Sequence, residues 1–170
     1  KLQIVHNRFM SFETSLSDRW KNLDHYLALP RMGGLVVSPN GKVLVTTVAL
    51  ISADGTEYKN QLFAIDPSGK AAARQLTHVS EGAANPVFSS NGDLLFSSAR
   101  TGQDKGEASE SEKQGRIYRL RAGQDGLLSG EAEEIYTRTG PLTALLAAKN
   151  AETLVAAAAV MPGATTDEED

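Results

Sequence analysis

The chain contains no cysteine. Disulfide staples, a thiolate nucleophile and a cysteine-ligated zinc site are therefore excluded. It has no surplus of positive charge: 17 Lys and Arg stand against 21 Asp and Glu, a net charge of −4. That balance argues against the basic footprint of a nucleic-acid-binding surface. No apolar run approaches the ~18 residues of a membrane-spanning helix. The longest candidate, Leu142 to Val160, is broken by Lys149, Asn150 and Glu152, so no membrane association is expected. The start, "KLQIVHNRF", lacks the apolar core and small-residue cleavage site of a secretory signal, and its first residue is Lys. Catalytic signatures are missing too. There is no G-x-S-x-G elbow, no H-E-x-x-H, no P-loop and no G-x-G-x-x-G.

A chain of 170 residues suffices for one ordinary domain. Residues 1–30 read as an N-terminal extension and an amphipathic helix. Within it, Leu16, Trp20, Leu23 and Leu27 recur at helical spacing and predict one helix over 15–29. Ser15 or Ser17 is placed to cap it, and Pro30 to stop it. The other end, "PGATTDEED", reads as an acidic tail over 161–170.

From Gly33 onward short β-rich runs alternate with turn signals. "VVSPNGKVLVTT" begins at Val36, and "VFSSNGDLLFSS" begins 51 residues later at Val87, with five of twelve positions identical. Each copy opens a unit of four strand-like runs. The first is "GLVV", "KVLVTTVALI", "YKNQLFAI" and "ARQLT", over about 33–78. The second is "NPVF", "DLLFSSAR", "RIYRLRA" and "EEIYTR", over about 84–138. Asn40-Gly41 and Asn91-Gly92 are expected to turn the chain with both residues at positive φ. A weaker third copy, "LAAKNAETLVAA", starts within 140–160 and stops before its last two strands.

Four-stranded antiparallel units repeated at this spacing predict β-propeller blades. The expected fold is thus all-β, a partial propeller of about two and a half blades behind one short helix. A single sandwich with look-alike hairpins is the other structural reading. Propellers close with roughly 4–8 blades, so the sequence reads as a fragment of a larger protein. If it folds alone, its open blade edges or its amphipathic helix predict a homodimer.

No catalytic, cofactor-binding or metal-binding residue is assigned, and no cofactor is implied. His6, His25 and His78 are far apart and would have to converge with carboxylates to act as base or ligand. Asp167 to Asp170 lacks the spacing and glycine of a calcium loop. The polar insert from Thr101 to Gln114 is read as a disordered loop or a cover over a site. Trp20 is either a partner anchor or an internal contact. Arg31 and Arg100 are either surface residues or channel-facing groups that hold a carboxylate.

"LDHYLALPRMGGLVVSPNGKVLVTTV", with "TEYKNQLFAIDPSG", "ARQLT" and "GDLLFSSAR", resembles the propeller domain of prolyl-oligopeptidase-type (S9) serine peptidases. The similarity is to the acylaminoacyl-peptidase or dipeptidyl-aminopeptidase-like branch and covers roughly residues 23–160. It implies a cytoplasmic parent enzyme that hydrolyses short peptides. The propeller would gate a C-terminal α/β-hydrolase domain, which carries the whole triad and is absent from this chain. The peptide substrate and that domain are then the expected partners, and the segment alone is expected to be inert. The non-enzymatic alternative is a TolB- or WD-like propeller acting as a protein-binding scaffold.

Overall fold

The computed structural model describes residues 22–98, 114–160 and 163. The expected strands are all present. β1 (Arg31–Val37), β2 (Leu44–Ile51), β3 (Tyr58–Ile65) and β4 (Arg74–Gln75) form one antiparallel sheet in chain order. β5 (Ala84–Phe88), β6 (Leu94–Ser98), β7 (Gln114–Leu120) and β8 (Glu133–Thr139) form a second, also in order. β9 (Leu142–Ala147) and β10 (Leu154–Ala158) make a separate hairpin. Two four-stranded meanders and the first half of a third make a partial propeller-like all-β fold. The first strands of the three units, β1, β5 and β9, lie side by side. The expected run "ARQLT" contributes only a two-residue strand.

Only part of the helix expected over 15–29 falls within the described residues. Among the described residues it runs Leu23–Leu27, N-capped by the Asn22 side chain, which accepts from the Asp24 N–H at 2.8 Å. It buries none of its residues, and Leu23 is exposed. Residues 15–21, with Leu16 and Trp20, lie outside the described residues. No helix among the described residues is long and apolar enough to cross a membrane.

Alternation with period two sorts the core into two layers. Blade 1 turns Val45 and Leu62 toward blade 2, which answers with Leu94, Phe96, Tyr118 and Leu120. Phe96 is fully buried, and its ring stacks on its cross-strand partner Tyr118 at 5.8 Å. The opposite face of blade 2 supplies Leu95 and Ile117 to a smaller cluster with Leu145 of the hairpin. Every residue of β6 is therefore buried. Full burial of each such apolar side chain contributes about 1.5–3 kcal/mol.

The turn that marks the repeat departs from expectation. Asn40 and Asn91 do not adopt positive φ; only Gly41 (φ 70°) and Gly92 (φ 93°) do. The Gly41 N–H donates to Ser38 O at 2.8 Å and the Gly92 N–H to Ser89 O at 3.0 Å. Pro39 supplies the fixed φ suited to the second position of such a turn. The asparagine works through its side chain. Asn40 Oδ1 accepts from Ser38 Oγ (2.7 Å) and from the Lys42 N–H (2.9 Å). Asn91 Oδ1 accepts in the same way from Ser89 Oγ and the Asp93 N–H. The Ser-x-Asn-Gly motif recurs because hydroxyl, amide and glycine form one unit.

Beyond the glycine the two copies fall out of step. The Ser38 N–H donates to Val43 O, whereas the Ser89 N–H donates to Asp93 O. Blade 1 spends one more residue before pairing resumes, with Val37 opposite Leu44 and Phe88 opposite Leu94. Val45 is thus the structural counterpart of Leu95, not of Phe96 as the ungapped alignment implies. Because a one-residue slip exchanges the faces of a strand, this offset puts Val45 and Leu95 each on the face turned to the following unit. Lys42 and Val43 together stand where blade 2 has Asp93 alone, and Lys42 reaches across to donate from Nζ to Asp125 O at 2.9 Å.

Candidate functional site

The turns just described sit at one end of the blades. At the other end β1, β5 and β9 begin, and a cleft of about 320 Å³ opens where the two blades and the hairpin meet. Tyr58, Asn85, Ser97, Gln114, Arg116 and Pro141 are among its lining residues.

Bulges in the first strands shape it. Pairing shifts between Met32 and Leu35 in β1, across Gly33-Gly34, and between Ala84 and Val87 in β5, across Asn85-Pro86. Asn85 takes φ 52°, the left-handed region that asparagine tolerates better than most residues. Its Nδ2 donates to Ser97 Oγ at 3.0 Å. On the far wall Gly115 lets the hairpin close in. A Cβ there would stand 2.5 Å from Gly140 O and 2.9 Å from Leu142 Cγ.

The charged groups of the cleft are largely paired. Arg116 Nη1 donates to Glu134 Oε2 at 2.7 Å and Nη2 to Gln114 Oε1 at 2.7 Å. The Glu134 hydrogen bond is the main cause that raises the Arg116 pKa. Lys59 Nζ lies 2.7 Å from Glu57 Oε1. The hydroxyls are committed to backbone. Ser97 Oγ donates to Ala84 O (3.2 Å) and Ser98 Oγ to Gly82 O (2.6 Å). Among the described residues neither meets a base, so the described arrangement offers hydrogen bonds for binding and no activated nucleophile.

Beside the cleft stands Arg31. Its guanidinium lies over the Tyr58 ring, 4.1 Å from the centroid, and 5.9 Å from that of Tyr26. Tyr58 is fixed in turn, its hydroxyl donating to Leu27 O at 2.6 Å. Arg31 pairs with Ala49, and Tyr58 with Ile51. Strand alternation therefore puts both side chains on the face of blade 1 turned toward blade 2.

The two described histidines do not join this site. His25 is half-buried on the helix, and His78 is exposed beyond β4. Neither lines the cleft. His6, Trp20, Arg100, Thr101 to Lys113 and Asp167 to Asp170 lie outside the described residues. Among the described residues no group of three or more His, Asp or Glu is placed to hold a metal ion. Asn85, Ser97 and Gly115 carry no sequence signature beyond the Asn-Pro and the isolated glycine in a strand, both of which signal an irregular strand.

No family model matches the chain, and no curated protein matches it. Among solved structures it is similar to a puromycin-hydrolyzing peptidase of Mycobacterium tuberculosis, with 18% identity and a TM-score of 0.46. That match covers 69% of this chain and 19% of the other, so the chain spans about a fifth of its neighbour's length.

Proposed function

We propose that the chain is the opening part of a β-propeller that gates short peptides toward the α/β-hydrolase domain of an S9-type serine peptidase. One structural observation supports a gating part over a catalytic one. The cleft beside the first strands presents amide, guanidinium and backbone groups, while its two serine hydroxyls are spent on carbonyl oxygens. The peptidase assignment is supported by the sequence resemblance over residues 23–160. In the parent protein the reaction is acyl transfer by a serine of the other domain, with an acyl-enzyme and an oxyanion hole. The propeller contributes selection by size and shape.

The test uses the parent protein. A fluorophosphonate is expected to label one serine downstream of this segment. Removing the segment is expected to narrow the difference in hydrolysis rate between a short chromogenic peptide and a long unfolded polypeptide. A parent with no labelled serine overturns the peptidase reading in favour of a protein-binding scaffold. Unchanged discrimination overturns the gating reading.

A further inference from the structure

We propose that Arg31, its guanidinium held over the Tyr58 ring beside the cleft, is a binding site for a peptide carboxylate. The inference rests on the reading of this segment as a peptide gate, and it adds a chemical preference to that gate. A cation–π contact takes none of the N–H donors of a guanidinium, which stay available in its plane. Those donors match the two oxygens of a carboxylate in a bidentate pair. Arg31 lies within 4.0 Å of no carboxylate among the described residues, whereas the nearby cations Lys59 and Arg116 already hold Glu57 and Glu134.

The cation is also held ready. Pro30 precedes it, and the Tyr58 hydroxyl is pinned to Leu27 O. The small Ala49 between β1 and β3 leaves room for Arg31 to lean onto Tyr58. Less side-chain freedom is then lost on binding than for an unsupported surface arginine. Tyr58 lines the cleft itself, so a carboxylate on Arg31 would place the rest of an extended peptide along Asn85 and Gln114. Both offer amide groups that can donate to and accept from a peptide backbone.

The experiment titrates the 170-residue chain, followed by amide chemical shifts. The probes are acetyl-Ala-Ala with a free C-terminus, its C-terminal amide, and acetyl-Ala-Glu-amide. A carboxylate-bearing probe is expected to bind about fivefold tighter than the neutral amide, the upper range for a solvent-accessible ion pair. Shifts should centre on Tyr58 and Asn85. Preference for the first or the third probe tells a C-terminal carboxylate from an acidic side chain. Arg31→Gln is expected to remove the difference, and Arg31→Lys, which keeps charge without the planar fork, to retain part of it. Each variant should keep the thermal transition of the parent chain. Equal binding of all three probes, no binding of any, or discrimination that survives Arg31→Gln overturns the proposal. A carboxylate preference in this chain would stand even if the parent had no reactive serine, so the two readings fail separately.

Discussion

Blade 1 and blade 2 are written in nearly the same words and buried very differently. Blade 2 has a neighbour on each side, and all five residues of β6 are buried. In blade 1, β1 leaves Met32 69%, Leu35 56% and Val37 56% exposed. The hairpin repeats the contrast, with Leu145 buried against blade 2 while Leu146 is 64% exposed. Strand chemistry is alike in the three units, so place in the stack decides burial. A propeller strand is apolar on both faces because it is meant to lie between sheets, and each unit leans on the next.

The largest effect is expected inside β2. Deleting Thr46 leaves the turn intact but moves Thr47, Val48 and Ala49 each to the opposite face of the strand, so the packing beyond Val45 loses its match with β3 and blade 2. Loss of the cooperative thermal transition is expected, and a deletion variant that melts like the undeleted chain would show that β2 can slip freely. Next in size, Phe96→Ala should cost about 3–5 kcal/mol, as for other buried aromatics. Leu145→Ala, in the smaller cluster, should cost less than Phe96→Ala. Urea titration measures both, and the reverse order would mean that the hairpin seam is the stronger one.

Gly115→Ala separates the two seams. With backbone oxygen and Leu142 in the path of the new Cβ, about 1–3 kcal/mol of strain is expected. Hydrogen exchange should speed up in β9 and β10 while Val45 and Leu62 keep their protection. Uniform loss across blade 1 would count against an independent hairpin. The smallest effect concerns acid. Hydrogen bonds from the Ser68 side chain, then from the Ser68 and Ala71 N–H groups, hold the exposed Asp66 down from 3.8 to about 2. A depressed folded-state pKa adds stability above the unfolded value near 3.8 and loses it as pH falls through about 2. Asp66→Asn should flatten stability in that window alone, and a carboxyl titration midpoint near 4 would remove the basis for this expectation.

Much of the architecture was legible. Period-two runs bounded by glycine turns marked the strands of both blades within a few residues, and their order predicted the meanders. What escaped was the register. Identity at Ser, Asn and Gly hides a single extra residue downstream, because the Lys42 and Asp93 N–H groups close the side-chain motif in the same way and only the backbone pairing after them records the difference. The site was less legible still. Arg31 was visible as a candidate, but its partner Tyr58 lies 27 residues away on a strand that is not adjacent to β1. Asn85 and Gly115 matter through a bulge and a close approach, which depend on tertiary packing and leave no periodic trace.

The order of the strands also sets a timetable for synthesis. Every sheet pairing among the described residues joins chain neighbours, so each meander can close as soon as its own residues leave the ribosome, with low contact order and no waiting for distant sequence. The face carrying Val45 and Leu62 is then complete while its cover, blade 2, is still being made. Nascent chains whose residue 80 has just cleared the exit tunnel would present that apolar face to chaperones, and chains with Leu120 well outside the tunnel would withdraw it.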